Sequence, residues 1–252
     1  MFNRFRHASG LFLIFVLLLT AVLSFPASSF AGDILLEVMT DELKREMKEL
    51  GNRELSPYFM KYMIGDVHTT SVNASFGALT HSDESDSRIL TVEVRVGDYQ
   101  LDNTHELRDQ YDYSRCSYVL VAREDNPDAI RTAIWQETNR QYREAVERLT
   151  KVKTNIAIKV AEEDSSADFS GQNDPVTYYE SQVDCEALVG SRDEWEKKVK
   201  KYSAPFLENK DIYGGQASFR FTVERKRFVT SEGASLTQNL MYARLSVSGF
   251  IK

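Results

Sequence analysis

Histidine and cysteine are scarce in this chain of 252 residues, at four and two respectively. That scarcity excludes most metal and nucleophile chemistry. His7 lies in the apolar start, while His68 and His81 stand 13 residues apart at expected strand ends. His105-Glu106 opens HELRDQYDY, which lacks the second histidine one helical turn on that a zinc-peptidase helix requires. Neither Cys116 nor Cys185 has a second Cys or His at ligand spacing. There is no G-x-S-x-G elbow, and the isolated pair Gly214-Gly215 opens a strand rather than a phosphate-binding helix. Carboxylates are abundant, yet no spacing singles out an acid and a base. No catalytic residue and no metal ligand is therefore expected in this chain.

Basic blocks are also missing. The chain holds 31 Lys and Arg against 38 Asp and Glu, and residues 1–31 carry Arg4 and Arg6 and no acid. An acidic chain without a positive patch does not grip phosphate backbones, which excludes a nucleic-acid partner. Lys197, Lys198, Lys200 and Lys201 lie beside Glu194 and Glu196 on an expected helix and read as its solvated face.

Arg4 and Arg6, the apolar run Leu11 to Phe25, and Ser29-Phe30-Ala31 together form the three-part pattern of a secretory signal, with cleavage expected after Ala31. The competing reading, a retained anchor, meets a run of about 15 residues where a span needs about 20, and Pro26 interrupts it. The expectation is an exported chain, periplasmic or secreted, with residues 32–252 folded and no stable membrane insertion. In an oxidising compartment Cys116 and Cys185 either form one bridge or remain separate thiols.

Periodicity organises residues 32–252. Leu35, Met39, Leu43, Met47 and Leu50 mark an amphipathic helix stopped by Gly51. Three strands are expected next, one from Pro57 to about Asp66, then Val72 to Leu79 and Arg88 to Val96, with the polar cluster His81–Ser87 between the last two. Asn126 or Asp125 caps a long helix with Pro127 in its first turn, whose stripe includes Ile130, Ile134, Ala145, Leu149 and Val152. EEDSSADFSGQND (162–174) reads as loop with almost nothing to bury. Ser191 and Glu194 form a capping box for a helix ending near Tyr202, with Trp195 and Val199 inward. Two more strands are expected, Ala217 to Arg225 and Leu236 to Val247. The fold class is α+β, an antiparallel sheet covered by a long amphipathic helix and shorter helices. The last strand is expected to present an open edge.

Two segments stand out, RILTVEVRVGDYQLDNT (88–104) and RFVTSEG (227–233). Gly97 permits a turn or bulge, and Asp98, Asp102 and Asn103 can accept backbone amides within the loop. Arg95 either pairs across the sheet or projects to a partner. Tyr58, Phe59, Tyr62, Phe219 and Phe221 read as core and interface. With DELKREMKEL, PYFMKYMI and SFGAL, these segments make the chain resemble the amino-terminal domain of the TldD/PmbA family over most of residues 32–252.

The resemblance implies a domain that precedes a zinc-peptidase half bearing an HExxxH pair and a distant Cys. No such positions occur here, so zinc is expected only in a full-length active member and no cofactor in this chain. It marks Arg95, Gly97, Asp98, Tyr99, Asp102, Asn103, Ser231, Glu232 and Gly233 as family-motif residues, structural or lining a substrate channel. It also implies paired subunits that enclose a peptide substrate. The expected partner is another copy, or a TldD-type subunit or carboxy-terminal half. The function expected is a non-catalytic domain of an exported peptidase system that shapes the chamber and the subunit interface. The alternatives are a free-standing periplasmic binding or scaffold protein, or a truncated remnant.

Overall fold

The computed structural model describes residues 33–107, 118–157, 166–171 and 174–251. Six strands form one sheet in the order β3-β2-β1-β5-β6-β4, with β1 Pro57–Ser75, β2 Ala78–Val96, β3 Val119–Leu120, β4 Thr177–Tyr179, β5 Ile212–Thr230 and β6 Ser235–Ile251. The helices are α1 Ile34–Leu50, α2 Pro127–Ala157, α3 Cys185–Val189 and α4 Arg192–Ser203. The fold is α+β. Every pairing is antiparallel except that of β4 with β6, which is parallel. No helix among the described residues is long and apolar enough to cross a membrane.

The three expected early strands are two. β1 runs unbroken through Ser75, turns at Phe76-Gly77, and returns as β2 through the polar cluster. His81 to Ser87 pair with Asn73 to Val67. Beyond them β3 joins only Ile89 and Leu90, so among the described residues this half of β2 is a sheet edge. Wet side chains there cost little, so polarity does not break the strand. RKRFVT likewise continues β5 to Thr230, and only Ser231 to Ala234 turn.

Residues opposite one another in the register share a face. One face carries Tyr62, Ile64, Leu90, Val92 and Val229, all buried, and α1 and α2 cover it with Leu35, Met39, Ile134 and Leu149. Each such side chain contributes about 1.5–3 kcal/mol by leaving water. Asn126 caps α2, its Oδ1 accepting from the amides of Asp128 at 3.0 Å and Ala129 at 3.1 Å. Tyr62 is fully buried, and its hydroxyl accepts from Thr138 at 2.9 Å.

Further along the same face a second core gathers Val72, Ala217, Phe219, Phe221 and Val223 beneath α4. Ser191 caps that helix by accepting from the Glu194 amide at 3.3 Å, and Trp195 stacks on Phe219 with centroids 3.5 Å apart. Between the two cores lies a polar belt. Asp66 pairs with both Arg88 and Arg227, and Arg88 also meets Asp125 at 2.9 Å. Burial works against the Asp66 charge, but the two guanidiniums outweigh it and hold its carboxyl below the usual range. At the far end Gly215 and Gly249 leave room for Phe206, whose Cβ would lie 2.3 Å from a Cβ on Gly215.

Candidate functional site

The site is built where β2 ends. β2 places Glu93 and Arg95 on the face opposite α1 and α2, and β1 places Lys61 opposite Glu93. Gly97, at φ 120°, turns the chain out of the strand, and the position takes glycine because a Cβ there would lie 2.4 Å from the Leu101 carbonyl oxygen. The loop then closes on itself. Asp98 accepts from the amides of Gln100 at 2.8 Å and Leu101 at 2.9 Å, and Gly97 bridges to Asp102. Asn103 accepts from the Val96 amide at 2.7 Å, and its own amide donates to the Val96 carbonyl at 3.1 Å.

Asp102 sits at the centre with no solvent exposure. It accepts from the Tyr58 hydroxyl at 2.5 Å, from Arg95 at 2.9 Å, and from the Thr104 amide and hydroxyl at 2.6 and 2.7 Å. Burial alone would raise its pKa, but these donors together hold it below the ordinary carboxylate range. The same carboxylate, with burial leading, pushes the Tyr58 phenol far up, so it stays a donor. Arg95 also reaches Glu93 at 2.7 Å, and Glu93 pairs with Lys61. The Glu93 carboxyl is likewise lowered, its burial outweighed by Lys61 and Arg95. The result is a fixed chain of alternating charges, Lys61, Glu93, Arg95 and Asp102.

The second segment meets the first. Ser231 exchanges bonds with Met60 on β1, donating its amide to the Met60 carbonyl at 2.9 Å and accepting the Met60 amide on Oγ at 3.0 Å. Glu232 accepts from the Tyr99 hydroxyl at 2.9 Å, and Gly233 turns the chain at φ 96°. Arg95, Gly97, Asp98, Tyr99, Asp102, Asn103, Ser231, Glu232 and Gly233 thus form one contiguous corner.

Asp168 and Phe169 also belong to it and carried no sequence signal. His105 meets the Asp168 carboxylate at 2.7 Å, and the other Asp168 oxygen accepts from the Asp102 amide at 2.9 Å. The Phe169 ring lies 4.7 Å from Phe59, and the Arg95 guanidinium sits 4.1 Å over its face. Both come from the stretch expected to bury almost nothing. Beside the corner, a groove of about 1580 Å³ runs over β1, β2 and β5 to α2, with Lys61, Arg95, Thr104, Arg140, Arg148 and Lys226 in its walls.

Cys185 is a half-buried thiol whose pKa burial raises, while Cys116, and with it the choice between a bridge and separate thiols, lies outside the described residues. No cluster of three or more His, Cys, Asp or Glu that could hold a metal occurs among the described residues.

No protein-family model matches the sequence, and no curated protein matches it. Among solved structures the chain is similar to a candidate modulator of DNA gyrase from Thermotoga maritima, with 11% identity and a TM-score of 0.44 over 85% of this chain and 40% of that one. It is also similar to TldE from Thermococcus kodakarensis (11% identity, TM-score 0.42, 84% and 39% covered). A candidate modulator of DNA gyrase from Bacteroides thetaiotaomicron stands close to these (12%, 0.42, 84% and 41%). The chain spans about two fifths of the length of each.

Proposed function

We propose that this chain is a non-catalytic assembly domain of an exported TldD/PmbA-type peptidase system, and that a partner strand docks along the open part of β6. Any zinc would then be held by the partner subunit. The groove beside the charged corner would form part of the substrate chamber's wall.

The carrying observation is the parity of β6. The Ser235 amide donates outward to Val176 at 2.9 Å, the Thr237 carbonyl accepts from Glu180 at 2.8 Å, and the Asn239 amide reaches the Glu180 carboxylate at 2.6 Å. Odd-numbered residues of β6 therefore point their backbone groups away from β5. β4 ends at Tyr179, so Met241, Ala243, Leu245, Val247 and Gly249 present a row of donors and acceptors with no strand beside them among the described residues. Met241, Leu245 and Val247 also extend the face of the second core, and with Tyr242 and Phe250 on the other face they are 48–62% exposed. An edge this long and apolar, with Arg244 its one charge, is otherwise an aggregation hazard.

The test compares the full chain with its Leu245→Lys/Val247→Lys variant by sedimentation across concentrations. Among the described residues no further strand is free to reach β6, so in the chain alone the docking strand is that of another copy. The natural chain is expected to self-associate and the variant to do so far less. Equal behaviour of the two contradicts the reading.

A second reading, a free-standing binding protein, draws support from the groove, whose charged walls could hold a polar ligand without a partner. A chain that stays monomeric at high concentration favours it.

A further inference from the structure

The segment 166–171, SADFSG, lies across the charged corner as a strap bent at Ser166 and Asp168. Only two of its side chains turn inward. Asp168 spans His105 and the Asp102 amide, and Phe169 enters a slot between Tyr58, Phe59, Tyr99 and Arg95. Ser166, Ala167, Ser170 and Gly171 remain exposed. The backbone is read as well, because the Phe169 amide donates to the Tyr99 carbonyl at 3.1 Å and the Asp168 amide to the Gln100 carbonyl at 3.4 Å.

The receptacle is fixed by bonds that do not involve the strap. Arg95 is held by Glu93, Asp102 and Thr104, and Tyr58 is held by Asp102. A guanidinium over an aromatic face adds electrostatic attraction to apolar contact, and tilted or stacked rings around the slot favour an aromatic guest. The residue before it meets a histidine and a backbone amide, which together select a carboxylate. The strap stands at the mouth of the groove, since Arg95, Thr104 and Asp168 all line it.

We propose that the corner is a binding site for a peptide carrying an acidic residue followed by an aromatic one, and that Asp168-Phe169 is its internal occupant. The strap competes with a peptide supplied from outside. If it is closed about 90% of the time, the apparent dissociation constant rises about tenfold. This goes beyond assembly through β6, because it concerns a different surface and a different ligand.

The experiment measures fluorescence anisotropy of a labelled, end-capped peptide of the strap's own sequence, SADFSG, titrated with the full chain. Phe169→Ala empties the slot and leaves its walls intact. It is expected to bind the peptide about tenfold more tightly than the natural chain does. Adding Phe59→Ala is expected to abolish that gain, and the peptide SAAASG is expected not to bind. Should Phe169→Ala fail to fold, Asp168→Asn, which loosens the strap's hold without changing its ring, is expected to give a smaller gain in the same direction. A folded Phe169→Ala chain that binds SADFSG no better than the natural chain overturns the proposal. Equal binding of SADFSG and SAAASG overturns it too.

Discussion

The Tyr99 hydroxyl donates to the Glu232 carboxylate at 2.9 Å, joining two segments 133 residues apart. Tyr99 follows the turn at Gly97, and Glu232 sits in the β5–β6 turn, so the bond ties the ends of two hairpins that flank β1. The Glu232 carboxylate also raises the Tyr99 phenol, which keeps it protonated as a donor. The bond is open to solvent, and its net worth is small. Tyr99→Phe is expected to lower stability by about 0.5 kcal/mol, read from the denaturant midpoint at an unchanged slope.

Asp102 is different. It is fully buried, and Tyr58, Arg95 and Thr104 all donate to it. Asp102→Ala would take one of its acceptors from the half-buried Arg95 guanidinium, and would take from the Tyr58 phenol the carboxylate it donates to. The expected loss is about 3–5 kcal/mol, measured by urea unfolding. Arg95→Ala/Asp102→Ala is expected to lose less than the two single losses added, because each single change strands the other partner.

Asp66, Glu93 and Asp102 all titrate below their ordinary range in the folded chain. Each stabilises the fold fully above the unfolded carboxylate pKa of about 4, and loses that contribution as pH falls through its folded value. Stability is therefore expected to be flat near neutrality and to fall below about pH 4. Asp66→Asn is expected to flatten that acid limb, as seen in unfolding midpoints taken from pH 3 to pH 7.

Gly97→Ala tests the turn. At φ 120° an alanine is strained, and its Cβ would meet the Leu101 oxygen at 2.4 Å. A loss of about 2 kcal/mol is expected in thermal or denaturant melts. An unchanged melt would show that the loop rearranges freely.

Much of this architecture was legible in the chain. The stripe of α1, the Asn126 cap and stripe of α2, the Ser191 cap of α4 and the alternation of Arg88 to Val96 each follow from local chemistry. The lengths of β1 and β2 did not, because His81 to Ser87 lie along a wet edge where side-chain polarity carries no information about backbone pairing. Glu42, Glu46 and Glu137 are buried despite their charge, each within reach of a nearby arginine on its own helix, and a stripe pattern cannot foresee that. Phe169 escaped for another reason. One aromatic within a polar loop has no period, and its slot is assembled from β1, the end of β2 and the loop that follows it.

Hydrogen exchange along β6 tests assembly through its edge most directly. In the dilute chain the amides of Leu240, Tyr242 and Arg244 point to β5 and should exchange slowly, while those of Met241, Ala243, Leu245 and Val247 should exchange fast. When the chain associates with itself or with a partner, the odd-numbered set should become protected as well. Odd-numbered amides that stay fast in the associated state, or that are already protected in a proven monomer, would contradict the account.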